Sequence, residues 1–369
     1  LLIKYLEVDD MKKICFLIGD INHSGGTERV TTLIANNLIE KYKVYILSLS
    51  GGDNPFFEQN KAIINNRIFP EKVSMKTNFF KTVYKIRKYI NDNKIDTLIV
   101  VDSISCVFSV PACVGLNIKH ICWEHFNLKV NLGSSFRTLG RWMAAKWCDK
   151  IVTLTNRDKD FWIKNFKLEK EKKVIAIANP SPYQLQDNQP SLDSKTILCV
   201  GRLTYQKGFD LLIPAWAEVK KALDGWKIVI VGIGEDEDNL KQMTKYYNVE
   251  DSIEFAGQQK NMSEFYNKAS FFCMSSRFEG LPMVLLEARS YKLPIVSFDC
   301  DTGPAEVIED GKDGFLVNVD NLQEFSQKIL KMAKMDENTF LHFVENSENA
   351  SIRFEIQNII RLWIELISQ

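Results

Sequence analysis

The sequence predicts an α/β protein made of two consecutive units, each a parallel sheet with helices on both faces. Three observations carry this. Short apolar runs of strand length alternate with longer segments of helical periodicity. The alternation breaks once, in a polar segment at residues 179–194 that holds three prolines, and then restarts. Loops rich in glycine and charge follow the apolar runs, at the carboxyl ends of the strands, where open α/β sheets bind ligands.

In chain order, residues 14–19 read as a buried strand, followed by a loop to Gly26 and a helical pattern over 27–42. Further strands are expected at 44–49, 96–101, 119–123 and 150–154, with helices at 79–91 and 134–147 between them. After the polar break, strands are expected at 196–200, 227–231, 252–255, 269–274, 294–298 and 315–317. A last helix near 352–367 carries Trp363 and several isoleucines, which suits packing back on the first unit. The expected division is an N-terminal extension at 1–10, a first domain at 11–185, a second at 186–350, and a C-terminal helix at 351–369.

Composition narrows the function classes. Hydrophobic residues make up 45% and charged residues 25%, an ordinary globular balance. Lys+Arg and Asp+Glu each number 47, so no global positive charge calls for nucleic acid as a partner. The eight cysteines sit mostly in apolar runs and form no CxxC pair. They read as free thiols of a reducing compartment, and no metal site is expected. No apolar stretch reaches membrane-spanning length, and residues 1–10, which include acids, do not read as a signal peptide.

The most informative pair is Glu279 and Glu287, in the run Glu279-Gly280-Leu281-Pro282-Met283-Val284-Leu285-Leu286-Glu287. An apolar strand precedes it and a helix follows. One carboxylate therefore stands at a strand's carboxyl end and the other about two turns into the next helix. Such a site could hold a sugar and a ribose together. Gly201-Arg202-Leu203-Thr204-Tyr205-Gln206-Lys207-Gly208 follows the first strand of the second unit. Arg202 and Lys207 flank one short loop and can neutralise a diphosphate; the plain alternative is two solvated charges.

Gly25 and Gly26 precede the first helix, where the backbone can approach an anion, but the loop lacks the GxGxxG dinucleotide fingerprint. Gly232 and Gly257 end strands and suit turns beside a ligand or simple structural turns; His125, in Trp123-Glu124-His125, suits a site role or a structural hydrogen bond. The amphipathic helix at 79–90 has a basic face, and Arg137, Arg141, Lys146 and Lys150 lie close in sequence to Trp142 and Trp147. These features suit either an ordinary solvated face or an anionic membrane surface.

Taken together, the motifs Gly25-Gly26-Thr27-Glu28, Glu124-His125, Gly201-Arg202 with Lys207-Gly208, Gly232-Ile233-Gly234 and Glu279 to Glu287 resemble the retaining glycosyltransferases of family 4. The resemblance runs in order over nearly the whole chain from Met11. It implies the GT-B fold, two Rossmann-like domains facing across a cleft that closes to exclude water. It implies a hexosyltransferase using a nucleotide diphosphate sugar, with a UDP-sugar favoured over GDP-mannose, and no cofactor or metal.

By the same resemblance, Arg202 and Lys207 hold the diphosphate and Glu279 lies by the transferred sugar. Gly280, Leu281, Pro282 and Val284 help hold sugar and phosphate, Glu287 bonds the ribose, and His125 reaches the reaction centre. Gly25 and Gly26 face the donor or acceptor, and Gly232 and Gly257 line the donor site. The implied acceptor is a glycan or polyprenyl-linked saccharide of surface polysaccharide synthesis, on the cytoplasmic side and peripheral to the membrane. Retention by two inversions or by same-face attack stays open at the sequence level. So do a dehydrogenase, a sugar-nucleotide epimerase and a non-catalytic nucleotide-sugar-binding protein.

Overall fold

The computed structural model describes residues 11–168 and 172–369; the expected extension at 1–10 lies outside them. The chain divides into two compact units, one taking the chain up to Pro180 together with Ile356–Gln369, the other Ser181–Glu355.

The first unit is built on seven strands, β1 (Lys13–Ile18), β2 (Lys43–Ser50), β3 (Ile64–Phe69), β4 (Thr97–Val101), β5 (Lys119–Trp123), β6 (Lys150–Thr153) and β7 (Val174–Ala176). They pair in parallel in the order β3-β2-β1-β4-β5-β6-β7. The inner strands are mostly apolar and almost wholly buried because helices cover both faces. β3 and β7 are absent from the sequence-based expectation. Both are edge strands, and β3 reads Ile-Asn-Asn-Arg-Ile-Phe with two exposed residues at its centre. An edge strand is shielded less, so its hydrophobic signal is weak.

The second unit has six parallel strands, β8 (Thr196–Val200), β9 (Lys227–Val231), β10 (Ile253–Gly257), β11 (Phe271–Met274), β12 (Ile295–Asp299) and β13 (Gly314–Asn318). Their order is β10-β9-β8-β11-β12-β13. In both sheets the strand order reverses beside the first strand, between β1 and β4 and between β8 and β11. Those reversals open the crevices in which doubly wound sheets hold ligands.

The last helix, Ile356–Ser368, buries Ile359, Ile360, Trp363, Leu366 and Ile367 in the first unit. Each buried isoleucine contributes roughly 2 kcal/mol by removal from water. Trp363 meets Trp123 of β5 edge-on, with ring centroids 4.9 Å apart. The polar segment read as a linker is tied to the second unit. The Gln186 amide donates to the Ser290 carbonyl at 2.8 Å, and Asn188 Nδ2 donates to the Tyr291 carbonyl at 2.9 Å. All eight cysteines are free thiols, and all but Cys113 are buried.

Candidate active site

The loop after β8 is shaped by close contact with its neighbours. Buried Leu203 anchors it, and residues Tyr205–Lys207 form one 3-10 turn. Gly208 has φ +64°, and a Cβ there would fall 2.1 Å from the Ser275 carbonyl oxygen, so glycine is compelled twice over. From that point the helix Phe209–Val219 starts. The loop after β11 then locks on: Ser275 Oγ donates to the Lys207 carbonyl at 3.0 Å and the Arg277 amide to the Gln206 carbonyl at 2.8 Å.

This fusion brings together residues far apart in sequence. Lys207 Nζ donates to Glu279 Oε1 at 2.6 Å, with the two side chains only 16% and 8% exposed. Gln206 Nε2 reaches Glu279 Oε2 at 3.4 Å. The Lys207 methylenes run over Gly201, at 3.2–3.3 Å from the point where a Cβ would sit. Arg202 is exposed, and its guanidinium has no partner among the described residues. One cation is thus held by a carboxylate, and a second, on the same loop, is available to an anion.

Behind Glu279, Thr302 Oγ1 donates to the Glu279 carbonyl at 2.6 Å. Gly303 has φ +103°, and a Cβ there would lie 2.6 Å from Pro282 Cδ. Gly280, Leu281 and Pro282 lead into the helix Met283–Ser290, which Pro282 caps; Val284 lies in its first turn and buried Glu287 on its second. Amides at a helix start favour negative charge. Glu287 Oε2 accepts from the Tyr266 hydroxyl at 2.7 Å, and Tyr266 stacks on Tyr291 at 5.0 Å.

Gly232 donates its amide to the Gly257 carbonyl at 2.9 Å, joining the ends of β9 and β10. A Cβ at Gly232 would lie 1.9 Å from the Gly201 carbonyl oxygen, whereas Gly257 has open space and needs only its φ of +67°.

Sequence reasoning missed Arg277, Asp210, Thr302 and Tyr266. Arg277 forks onto Asp210 at 2.8 and 2.6 Å, donates to the Tyr205 carbonyl at 2.8 Å, and covers the Tyr205 ring at 4.1 Å. This clamp fixes the loop that carries Lys207. An Arg two residues before Glu279, with an Asp two residues after Gly208, was the only available signal.

In the first unit, Gly25 caps the helix Gly26–Leu38 with extended backbone and no side-chain cap. A Cβ there would meet Glu28 Oε2 at 2.3 Å, so the flexible Glu28 carboxylate sits over the helix start. Burial raises the Glu28 pKa. An anion bound at Gly25 and Gly26 requires that carboxylate to swing away or protonate.

His125 follows β5 and is 8% exposed. Its ring centroid lies 4.3 Å from that of Trp123, and its Nε2 is buried without a partner among the described residues. Burial lowers its pKa to about 4, so the imidazole is neutral at pH 7. A neutral ring with an open nitrogen can exchange a hydrogen bond with a hydroxyl.

Adjacent Glu124 is fully buried, accepting from Ser103 Oγ at 2.6 Å, Arg141 Nε at 2.8 Å and the Phe126 amide at 3.1 Å. Burial pushes its carboxyl up, but Arg141, Ser103 and Arg137 together bring it below the ordinary value. Arg137 donates to Asp102 Oδ1 at 2.6 Å. This corrects one expectation: Arg137 and Arg141 are 6% and 3% exposed and serve buried carboxylates, not a basic surface. Burying Glu124 without partners would cost several kcal/mol, which draws both arginines inward.

Comparison with known proteins assigns a class to this fold and site. The Glycosyltransferase Family 4 model matches residues 24–180, and the model for glycosyl transferases group 1 matches 182–350. An uncharacterized glycosyltransferase of Haemophilus influenzae is 38% identical over 96% of this chain and 99% of its own. The chain therefore belongs to this glycosyltransferase family.

The amylovoran biosynthesis glycosyltransferase AmsD of Erwinia amylovora is 31% identical over 97% of this chain and 100% of its own. A Campylobacter jejuni α-1,4-N-acetyl-D-galactosaminyltransferase, named for a diphospho-undecaprenol-linked substrate, is 28% identical over 97% and 99%. The fold is GT-B, shared with the lipopolysaccharide outer core galactosyltransferase WaaB at TM-score 0.78 and 20% identity, covering 96% of this chain and 99% of WaaB. It is also shared with Anabaena HepE in complex with UDP and glucose, at TM-score 0.78 and 18% identity, covering 97% and 100%.

Proposed function

We propose that this glycosyltransferase moves a hexosyl unit from a UDP-sugar to a hydroxyl of a glycan or lipid-linked saccharide, with retention, in surface polysaccharide synthesis at the cytoplasmic side. The observation that carries the reading is the ion pair from Lys207 to Glu279 of the loop after β11, with Lys207 on the same loop as Arg202, whose guanidinium has no partner among the described residues, at the strand-order reversal between β8 and β11. The names of the AmsD and Campylobacter relatives support the acceptor class, and the UDP complex of HepE supports the donor.

The residues divide the work as follows. Arg202 and Lys207 neutralise the charge that grows on the diphosphate as its bond to the sugar C1 lengthens. The start of helix Met283–Ser290 adds partial positive charge. Glu279 accepts hydrogen bonds from the sugar, and Glu287, oriented by Tyr266, bonds the ribose hydroxyls. The acceptor oxygen forms its bond to C1 on the face the diphosphate leaves, and its proton passes to the leaving phosphate oxygen. Neutral His125 contributes a hydrogen bond to a sugar or acceptor hydroxyl. Two fixed cations supply the charge that a divalent ion would otherwise bring to the leaving group, so transfer is expected to persist in excess chelator.

Purified protein incubated with UDP-sugars and lipid-linked or free saccharides tests the reading. The expected product keeps the donor's anomeric configuration, read from the anomeric proton coupling by NMR. An inverted product refutes retention. Interconversion of the donor sugar without acceptor refutes transfer.

A further inference from the structure

One face of the first unit is used by none of this chemistry. The right-handed connections β3 to β4, β4 to β5 and β5 to β6 put helices Phe79–Asn93, Cys106–Cys113 and Ser135–Trp147 on the same side of the sheet. They lie side by side. Phe79 meets Phe108 at 5.7 Å, and Arg87 Nη1 donates to the Ala112 and Val114 carbonyls at 3.0 and 2.6 Å. Gly140 approaches so closely that a Cβ would fall 2.2 Å from the Ser103 carbonyl oxygen.

Large apolar side chains stand outward on this face. Phe80 is 85% exposed, Val114 68%, Tyr84 65%, Trp147 47% and Trp142 46%. Phe80 and Tyr84 are one helical turn apart. Trp142 and Trp147 meet edge-on at 5.0 Å, with the Lys146 ammonium 5.4 and 4.8 Å from the two rings. Between the second and third helices a groove of about 570 Å³ is lined by Val110, Val114, Leu116, Met143 and Trp147, among others.

Charge is segregated on the same surface. Over residues 76–94, 106–118 and 132–149 there are two acids, Asp92, held by Lys88 at 2.6 Å, and Asp149 in the groove lining, which accepts from the His120 amide at 2.7 Å. Lys76, Lys81, Lys88, Lys94 and Lys146 are all exposed there, although the whole chain has zero net charge. Lysine interleaved with aromatics is unlike the core of a protein–protein interface, where lysine is depleted. It fits the boundary of an anionic bilayer, where amphipathic rings sit at headgroup depth and each basic side chain gains from the surface potential. No helix among the described residues is long and apolar enough to cross a membrane, so this contact is with the surface.

We propose that the outer face of helices Phe79–Asn93 and Ser135–Trp147 docks on an anionic lipid bilayer. Phe80, Tyr84, Trp142 and Trp147 enter the interface, and Lys81, Lys88 and Lys146 lie over the headgroups. The inference goes beyond the transfer reading and does not rest on it.

The test is sedimentation of the full chain with vesicles of phosphatidylcholine alone and with about a third phosphatidylglycerol. The expected result is binding to the anionic vesicles that weakens with salt. Exchanging one of the three headgroup lysines for Gln lowers partition about fivefold. The combined Phe80→Ser, Trp142→Ser, Trp147→Ser variant loses it by tenfold or more while remaining folded by circular dichroism at the assay temperature; its thermal midpoint falls, because both tryptophans are about half buried. Lys146→Arg, which keeps the charge, retains binding. Equal binding to neutral and anionic vesicles, no binding to either, or unchanged binding of the triple variant overturns the proposal. So does light scattering that shows the face buried in a dimer which the same substitutions dissociate.

Discussion

Replacing Glu279 by Gln should separate donor binding from transfer, in opposite directions. With no donor bound, the Lys207 ammonium is committed to Glu279 Oε1 at 2.6 Å in a largely shielded place. A donor diphosphate competes with that carboxylate for the same cation. A hydrogen bond to a charged group contributes about 1.5–3 kcal/mol and a neutral one about 1 kcal/mol. Glu279→Gln therefore releases about 1 kcal/mol of competition, and UDP should bind roughly fivefold tighter. Transfer should fall, since the amide cannot accept from the sugar with a full charge; a loss of about 3 kcal/mol is roughly a hundredfold in rate. Calorimetric titration with UDP and initial rates of UDP release measure the two effects. The companion Lys207→Met should weaken UDP binding. UDP affinity unchanged or weaker in Glu279→Gln, or wild-type transfer, would refute the competition argument.

The remaining expectations concern His125, the last helix and the glycine turns. There are four histidines, so ring NMR can follow His125 by comparison with a His125→Asn variant; its midpoint should lie near pH 4, and one at pH 6 or above refutes the burial argument. Because the folded value lies below the unfolded one of about 6.5, the associated stability is full above that pH and lost as pH falls toward 4, by roughly 3 kcal/mol in all. Asp102 and Asp158, raised by burial to about 6 and about 7, act in the opposite sense over that range, which is why the ring itself should be observed. Trp363→Ala should cost about 3–5 kcal/mol by opening a cavity against Trp123, read as a lowered thermal midpoint; an unchanged midpoint refutes the packing role. Gly232→Ala should abolish UDP binding or folding, since its Cβ meets the Gly201 carbonyl, whereas Gly257→Ala should cost only about 1 kcal/mol of backbone strain. Thermal shift with and without UDP ranks the two, and equal effects refute the assignment.

Much of the fold is legible in the sequence because its signals are local. Each of the six strands of the second unit is a short, mostly apolar run closed by glycine or a polar residue, and all six expected runs coincide with strands to within about two residues. β3 escapes because an edge strand with two exposed central residues does not need that composition. Arg137 and Arg141 were misplaced for the converse reason. Their positions suit a solvated helix face, and only the buried Glu124 and Asp102 explain their direction. Local pattern gives the period of a helix but not what lies beneath it.

The site was legible in its charged residues and illegible in what aims them. Arg202, Lys207 and Glu279 stand in the turns that follow strands and Glu287 on the second turn of the next helix, and position singled them out. Their geometry depends on partners with no local signature. Arg277 grips Asp210 across a separation of 67 residues, and Tyr266 holds Glu287 across 21. The Arg277–Asp210 contact exists because β8 and β11 are neighbours, which places the loop of Lys207 against the loop of Glu279, while Tyr266 and Glu287 meet because their helices flank β11. The strand order therefore explains the ion pair more directly than either motif does. Swapping Lys207 and Glu279 should preserve the pair yet abolish transfer, because the cation would then issue from the loop after β11 and no longer from the loop that carries Arg202.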